Sequence, residues 1–250
     1  MKRNPYQPLI LLVAAVTVFP HISLGATVAD ILKKVDENLT KVEDQTYTGE
    51  IEVVRDGKTT KSMKFNVKLK GLRMKLVRFT APGDVRGMTV LTTEQGHMYV
   101  YLPSYKRVRR VASHVRNQGF MGTDLSPEDM GTASLSEGWN PTLKSETEAE
   151  WILTLTPKKG TETSFSKIQA TVLKKYGGVS ELVYYNSQGK AIKRQNRKEW
   201  KTFGPITMPT FFIVQDLQTG SKTQMRFVDC KVNTGVSAKA FTKRAIMRAD

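Results

Sequence analysis

The chain has 250 residues, of which 39 are Lys or Arg and 23 are Asp or Glu, giving a formal net charge of +16. This length can bury the core of one sizeable β domain or two small domains, and we expect one. The charge excess indicates an anionic partner. The single cysteine, Cys230, excludes an intrachain disulfide, so the fold must be held by packing.

The first 25 residues have the layout of a secretory signal peptide. Lys2 and Arg3 form a basic start, Leu9 to Phe19 are apolar, and residues 23–25 offer a cleavage site with small residues. The apolar run is shorter than the roughly 18 residues that a membrane span needs. We therefore predict a signal peptide at 1–25 and a single periplasmic domain at 26–250. Export argues against nucleic acid as the anionic partner and favours anionic lipid head groups or an acidic protein surface.

A helix is predicted directly after the signal peptide. Thr27 can cap it, and it should run to about Val42. Its apolar residues recur at helical spacing: Val28, Ile31, Leu32, Val35, Leu39 and Val42. We expect this amphipathic helix to pack on an apolar surface.

From Thr46 onwards the pattern alternates, as in half-buried strands. The clearest strand has an apolar stripe, formed by Met63, Phe65, Val67 and Leu69. Asp56-Gly57 predicts a hairpin turn before it. Further strands are predicted at 72–79, 88–93, 97–102, 106–111, 151–156, 165–174, 179–185, 191–201, 206–216 and 221–232.

Two irregular places stand out in this pattern. The apolar phase slips between Phe227 and Val228, which predicts a β-bulge. The polar stretch from Thr132 to Glu150 is expected to be a long surface connection. The result is a mainly β chain with few helices, an α+β fold with about eleven antiparallel strands. A sheet of that size must curl, close or split.

Residues 120–130 read Phe-Met-Gly-Thr-Asp-Leu-Ser-Pro-Glu-Asp-Met and place two large apolar side chains before a helix start. Ser126 can cap that helix and Pro127 suits its first position. Phe120, Met121 and Met130 are therefore candidates for a lid. The alternative is an ordinary loop that Phe120 anchors in the core.

A basic cluster follows the predicted strand at 97–102 and contains no acidic residue. Its members are Lys106, Arg107, Arg109, Arg110 and Arg116. A second basic group lies at 190–201. Three interpretations remain open for such groups: a solvated sheet edge protected from aggregation, contact with anionic lipids, or docking of an acidic partner.

Catalytic chemistry has little support in the sequence. No nucleophile elbow, metal-binding helix motif or phosphate-binding glycine loop is present. Only His97 and His114 follow the signal peptide, too few and too isolated to predict a metal site. A buried thiol is favoured over a reactive one for Cys230. We expect no enzyme activity, no metal and no cofactor, which argues against a secreted hydrolase.

Several segments resemble a known family. They are Pro-Gly-Asp-Val-Arg-Gly-Met at 82–88, the Tyr-Leu-Pro turn at 101–103 with the basic residues after it, 120–130, Gly189-Lys190, Met208-Pro209, and 216–220. In these segments the chain resembles the LolA-like superfamily, and most closely the outer-membrane lipoprotein-sorting proteins. The resemblance implies a strongly curved antiparallel sheet that forms an incomplete β-barrel, with a helix-covered hydrophobic cavity that shields acyl chains.

Methionines on or beside the predicted strands suit such a cavity, because thioether side chains adapt to irregular ligands. The alternative is that they fill an ordinary core. We expect the cavity to be lined by the following residues: Met63, Phe65, Val67, Leu69, Met74, Leu76, Met88, Val90, Tyr99, Tyr101, Trp151, Met208, Phe211, Met225 and Phe227.

With the resemblance, these features predict a monomeric periplasmic carrier. It would take the acyl chains of a lipid or lipoprotein from an inner-membrane transporter, of the resistance-nodulation-division or the lipoprotein-releasing type, and move them towards the outer membrane. Contact with anionic membranes would be transient. The alternative is a regulatory envelope-stress sensor of the same fold that binds lipidated proteins. Known sensors of this fold carry a further C-terminal domain, whereas this sequence closes with the short segment Ala238 to Arg248, which favours the carrier.

Overall fold

The structure is a computed structural model that describes residues 27–112, 119–126, 129, 134–161 and 163–248. The predicted signal peptide at 1–25, the helix start at Pro127, and the residues His114, Arg116 and Met130 lie outside the described residues. No helix in the described part of the chain is long and apolar enough to cross a membrane.

Helix α1 spans Val28–Thr40, and the short helix α2 spans Lys243–Ile246. Thirteen strands lie between them in the described ranges: β1 (Asp44–Arg55), β2 (Lys58–Lys70), β3 (Met74–Ala81), β4 (Thr89–Thr92), β5 (Met98–Leu102), β6 (Arg107–Arg110), β7 (Trp139–Glu146), β8 (Glu150–Pro157), β9 (Lys167–Leu173), β10 (Gly178–Tyr185), β11 (Ala191–Phe203), β12 (Ile206–Asp216) and β13 (Lys222–Val232).

All thirteen strands form one antiparallel sheet in the order β6-β5-β4-β3-β2-β1-β13-β12-β11-β10-β9-β8-β7. The chain meanders from β1 out to the edge strand β6, crosses to the opposite edge at β7, and meanders back until β13 pairs with β1. The sheet is curved and is not closed into a barrel. The predicted fold class, a mainly β chain that forms an incomplete barrel, is therefore confirmed.

Helix α1 covers the half of the sheet that contains β7 to β10. Its start has a capping box, in which Thr27 and Asp30 exchange side-chain and backbone hydrogen bonds. Ile31, Leu32 and Val35 are buried in one apolar cluster with residues of these strands. Burying each such side chain stabilises the fold by roughly 1.5–3 kcal/mol. We call the face of the sheet that α1 covers the inner face.

The other half of the inner face carries a second apolar cluster, built from β1 to β5, β12 and β13. The outer face of β3 to β5 is covered by the C-terminal segment, where Phe241 and Ile246 pack on Leu76 and Leu91. Strands β3 to β5 are therefore apolar on both faces.

The prediction of a surface connection from Thr132 to Glu150 is wrong, because this stretch contains strand β7. β7 is an edge strand that pairs with β8, and most of its side chains are exposed. An edge strand tolerates polar residues and a proline, here Pro141. Its sequence therefore lacks the alternation that reveals the other strands.

The two local predictions for turns and bulges are confirmed. Asp56 and Gly57 both have positive φ, at 48° and 74°, as a two-residue hairpin turn between β1 and β2 requires. The register between β1 and β13 shifts between Thr46 and Thr48, which leaves one extra residue in β13. This bulge includes Asp229, whose φ is 52°, and lies within two residues of the predicted slip.

Candidate functional site

A large cavity lies on the inner face between β1 to β3 and β11 to β13. Its volume, counted out to its open mouth, is about 1200 Å³. Most of its wall is apolar: Leu39, Tyr47, Ile51, Phe65, Val67, Leu69, Leu72, Val77, Leu125, Met208, Pro209, Phe212, Met225 and Phe227. Its charged or polar side chains are Gln45, Lys75, Asp129, Gln195 and Arg197. We call this space the main cavity.

The centre of the wall is aromatic. The ring of Phe227 lies 4.6 Å from that of Tyr47, 4.8 Å from that of Phe212 and 6.0 Å from that of Phe65, measured between ring centroids. Rings at these separations stabilise one another beyond the area that they bury. The wall is therefore a packed surface rather than a set of loose side chains.

A glycine in β1 determines where one of these rings lies. Gly49 pairs with Phe65 in β2 and with Phe227 in β13, so the three residues form one row across the sheet. The Phe65 ring covers Gly49, and a Cβ at that glycine would be 2.4 Å from the ring tip. Because Gly49 has no side chain, the ring can lie on the sheet instead of projecting into the cavity.

A smaller cavity of about 590 Å³ lies under α1 and is lined by residues that include Val35, Trp139 and Leu182. It shares four wall residues with the main cavity: Leu39, Asp129, Gln195 and Arg197. These four residues mark the junction between the two cavities.

A buried ion pair lies at this junction. Both carboxylate oxygens of Asp129 accept hydrogen bonds from Lys193 Nζ at 2.8 Å, and the two side chains are 4% and 10% exposed. Oδ2 of Asp129 also accepts from the backbone N–H and the hydroxyl of Ser126, both at 2.7 Å. Asp129 N–H donates to Ser126 Oγ in return.

Two further cations line the main cavity without a salt bridge among the described residues. Burial lowers the pKa of Lys75 to about 8, and repulsion from Arg197 adds to this effect, while Asp129 opposes it. Burial also lowers the pKa of Arg197. Nε and Nη2 of Arg197 donate to Gln195 Oε1 at 3.3 and 3.0 Å, and its guanidinium lies 5.7 Å from the Phe212 ring.

The loop at 119–126 lies beside the main cavity and is held to the sheet at several points. Phe120 packs 6.4 Å from Phe79, and Leu125 is buried in the cavity wall. Asp124 pairs with Arg55 and accepts from the hydroxyls of Ser221 and Thr223. Phe120 and Met121 contact the apolar cluster but do not line the cavity.

The basic cluster lies on the edge strand β6 and the residue before it. Lys106, Arg107, Arg109 and Arg110 are all exposed. Arg107 pairs with Leu102 and Arg109 with Val100, two residues of the inner-face cluster, so both arginines lie on the inner face at the rim of the sheet. Arg110 pairs with Tyr99 and lies on the outer face.

Six of the fifteen residues predicted for the cavity line it: Phe65, Val67, Leu69, Met208, Met225 and Phe227. Three belong to the apolar cluster of the same half without reaching the cavity: Met63, Met88 and Val90. Trp151 packs in the cluster under α1.

The structure contradicts the remaining five placements. Met74, Leu76, Tyr99 and Tyr101 contact the C-terminal segment on the outer face. The reason is that β3 and β5 are apolar on both faces, so alternation does not identify the inner one. Phe211 faces outwards as well, with the Arg226 guanidinium 4.4 Å from its ring, and the cavity residue is its neighbour Phe212.

Sequence reasoning missed the charged side chains at the junction. Lys193 and Arg197 belong to the basic group at 190–201, and Gln195 is in none of the predicted sites. Strand β11 places all three residues on the inner face. Their spacing of two residues was the available signal, because it puts three polar groups on one face of a strand. Lys75, within an apolar strand, was a second signal.

The thiol of Cys230 is partly buried. Burial raises the pKa of the Cys230 thiol to about 11, and its Sγ lies 3.8 Å from Met208 Sδ, as expected of an unreactive thiol. In the described ranges, no three His, Cys, Asp or Glu side chains are grouped so that they could hold a metal ion.

This architecture, an open antiparallel half-barrel around an apolar cavity, is the LolA-like fold. It is similar to a DUF1329 family protein from Desulfovibrio piger, with 25% identity and a TM-score of 0.81 over 87% of this chain and 97% of that one. It is also similar to an outer membrane lipoprotein-sorting protein domain from Vibrio parahaemolyticus, with 20% identity and a TM-score of 0.76 over 88% and 100% of the two chains. A LolA superfamily protein from Nitrosomonas europaea has 20% identity and a TM-score of 0.74 over 88% and 99%.

A family model described as "Uncharacterized protein" matches residues 71–248. Because this match spans more than half of the chain, the protein belongs to that family. No curated protein matched the sequence.

Proposed function

We propose that this protein is a non-enzymatic periplasmic carrier that binds the acyl chains of a lipid or lipoprotein in the main cavity. The observation that carries this proposal is the cavity itself, about 1200 Å³ with an aromatic and aliphatic wall open to solvent. Ligand pockets in proteins are concave and mostly apolar, with a few polar groups that fix the ligand, and the main cavity has this composition.

We also propose that the protein carries its cargo from the inner membrane towards the outer membrane. A monomeric carrier would receive its cargo from an inner-membrane transporter, of the resistance-nodulation-division or lipoprotein-releasing type, and move it towards the outer membrane. The similarity of the fold to lipoprotein-sorting and LolA superfamily structures supports this route.

The loop at 119–126 is proposed as a lid. It belongs to the connection between the edge strands β6 and β7, and Leu125 already forms part of the cavity wall. Its polar attachments through Asp124 and its apolar contacts through Phe120 define a closed position. Opening would break these contacts without disturbing any strand pairing.

The rim arginines Arg107 and Arg109 are proposed to contact anionic membrane lipids while cargo is exchanged. They are exposed, they lie on the side of the sheet where the cavity opens, and no salt bridge neutralises them in the part of the chain that the structure describes. Positive charge at such a rim attracts an anionic bilayer over about one Debye length.

The central test is whether the cavity holds an acyl chain. Protein exported to the periplasm and purified without detergent should release an acyl species on organic extraction, and native mass spectrometry should show the matching mass. A fluorescent fatty acid should bind the emptied protein, and Met225→Trp should weaken this binding because the indole occupies the cavity. Met247→Trp is the matched control, since Met247 is 45% exposed and lies outside the cavity. Empty preparations together with no probe binding would contradict the proposal.

A further inference from the structure

The junction of the two cavities holds an unbalanced set of charges. Arg197 and Asp129 lie at the junction, Lys193 pairs with Asp129, and Lys75 lines the adjoining wall of the main cavity, so three cations accompany one carboxylate. Both oxygens of Asp129 are occupied by Lys193, and one of them also by Ser126. The Asp129 carboxylate attracts both Lys75 and Arg197, but neither forms a salt bridge among the described residues.

An unpaired cation in apolar surroundings is costly, so proteins pair it, neutralise it or use it. Lys75 is partly buried in the cavity wall, and burial is the first cause that lowers its pKa. Replacing these two residues by apolar ones of similar size would remove the cost. Their presence in the wall of a ligand cavity points to a ligand that supplies the missing negative charge.

The guanidinium of Arg197 is held in place by two neighbouring side chains and could bind an anionic group of a ligand. Gln195 accepts from Nε and Nη2, and the guanidinium lies over the Phe212 ring. Neither N–H of Nη1 has a hydrogen-bond partner in the ranges that the structure describes. A guanidinium fixed in this way binds carboxylate or phosphate oxygens at a low entropic cost.

We propose that the ligand of the main cavity is an anionic amphiphile whose carboxylate or phosphate group binds Lys75 and Arg197 at the junction, with its acyl chain along the apolar wall. This inference rests on the proposed carrier function and narrows its cargo. Lys75 on β3 and Arg197 on β11 both line the cavity, and they are close enough for the guanidinium to repel the ammonium group. One anion bound between them would relieve this repulsion. The apolar surroundings favour an anion that carries a chain over a free anion or an acidic peptide.

The test compares ligands that share one chain. Dodecanoate and dodecyl phosphate are anionic, dodecanol is neutral, and inorganic phosphate has no chain; each is titrated below its aggregation limit as a competitor of a neutral fluorescent lipid probe. Wild-type protein should bind the two anionic ligands about tenfold or more tightly than dodecanol, the effect expected of hydrogen bonds between charged groups.

The variants Lys75→Met and Arg197→Met should each lose most of this preference, while still binding dodecanol. Lys75→Arg should retain it. Lys198→Met is the matched control, because Lys198 is exposed on the outer face of the same strand, next to Arg197, and its loss should leave the preference unchanged.

A pH series gives a second readout. The charged groups that act on Lys75 are Arg197, which repels it, and Asp129, which attracts it. The preference for dodecanoate over dodecanol should fall between about pH 7 and 9.5 in wild-type protein as Lys75 loses its proton, and stay level in Lys75→Arg.

The possible outcomes separate this inference from the carrier function. Equal binding of dodecanoate and dodecanol would overturn the inference and leave the carrier function intact. Inorganic phosphate that competes as well as dodecyl phosphate would overturn it too, because the site would then serve a free anion. If no ligand with a chain binds, the carrier function itself fails.

Discussion

Phe65 lies over Gly49 so closely that a Cβ at the glycine would be 2.4 Å from the ring. No side chain tolerates that distance, so the ring position depends on the absence of a side chain at residue 49. The ring forms part of the cavity wall, and the glycine therefore controls how much space the cavity offers.

We predict that Gly49→Ala narrows the main cavity by pushing Phe65 into it. Binding of a fluorescent fatty acid should weaken several-fold. The added methyl group should cost about 1–3 kcal/mol of stability through overpacking, partly offset by the stabilisation of roughly 0.5–1 kcal/mol that alanine brings to a strand interior. Gly83→Ala is the control, because nothing lies within 4 Å of a Cβ there. Unchanged ligand binding in a folded Gly49→Ala protein would show that Phe65 does not limit the cavity.

Lys75→Met should stabilise the ligand-free protein at pH 7. The folded-state pKa of Lys75 is about 8, below its ordinary value, so the folded protein holds the charged form at a cost that is fully present below pH 8. The cost shrinks as the pH rises from about 8 to about 10.5, where the unfolded chain also loses its proton. The gain is up to roughly 3 kcal/mol, reduced by solvent at the cavity mouth.

Thermal melting of wild type and variant at pH 7 and pH 10 measures this gain. It should amount to several degrees at pH 7 and be smaller at pH 10. Equal melting temperatures at both pH values would mean that the ammonium group is well solvated.

Changing Phe120 and Met121 together to Ser should impair cargo transfer more than folding if the loop is a lid. The strands carry most of the buried area, whereas these two residues are only partly buried against the core. If they are instead fixed core anchors, the loss should reach several kcal/mol, as for large-to-small changes in a packed interior. Thermal melting and a donor-to-acceptor transfer assay on the same variant separate the cases. A collapse in melting temperature with normal transfer by the remaining folded protein would rule out the lid.

Replacing Arg107, Arg109 and Arg110 by Glu should lower binding to vesicles that contain anionic lipid. Wild-type binding should weaken between low and high salt, because the attraction is screened over about 10 Å at 0.1 M. Vesicle sedimentation at two salt concentrations measures both effects. A matched triple variant, Lys190→Glu, Lys198→Glu and Lys201→Glu, changes the charge equally at exposed positions of β11 and its turn. If both triple variants lose vesicle binding to the same extent, the loss is caused by the lower net charge and not by the position of the arginines at the rim.

Asp44→Asn should destabilise the protein by about 1–3 kcal/mol at pH 7. The Asp44 carboxylate is buried and accepts from the backbone N–H groups of Thr234, Gly235 and Val236. Burial raises its pKa, but these hydrogen bonds and the one from the Thr234 hydroxyl outweigh burial, so the pKa lies below its usual range.

The contribution of Asp44 is therefore present above about pH 4, the unfolded value, and is lost as the pH falls further. Urea unfolding at pH 7 and pH 3 should show a smaller acid effect in Asp44→Asn than in wild type. Asp56→Asn is the control, since Asn suits the same two-residue turn. If Asp44→Asn loses as much unfolding free energy between pH 7 and pH 3 as the wild type, the acid sensitivity comes from other carboxylates.

Strands were predictable from sequence wherever one face of the strand is buried and the other is exposed to solvent. In β2, for example, Met63, Phe65 and Val67 alternate with polar residues. The helix was predictable from its cap and its apolar spacing, although it ends at Thr40 rather than Val42. Val42 lies beyond the end of the helix and is buried in the cluster of the other half of the sheet. Because it is apolar and falls at helical spacing from Leu39, the sequence pattern included it in the helix.

The inner face could not be identified where both faces are apolar. Leu76 and Val77 are equally hydrophobic, and only the packing of the C-terminal segment on Leu76 shows which of them faces the cavity. The junction was missed for a different reason. The cations Lys75 and Arg197 come from strands that are far apart in sequence, and their proximity exists only in the folded sheet.

The pairing of β1 with β13 has a consequence for how the protein folds. It joins residues such as Ile51 and Met225, which are separated by most of the chain, and contacts of such long range slow folding because a long loop must first close. The main cavity has walls from both sides of this seam, so no cavity exists until the last strand is in place. During synthesis the apolar wall residues are therefore exposed for as long as β13 is missing.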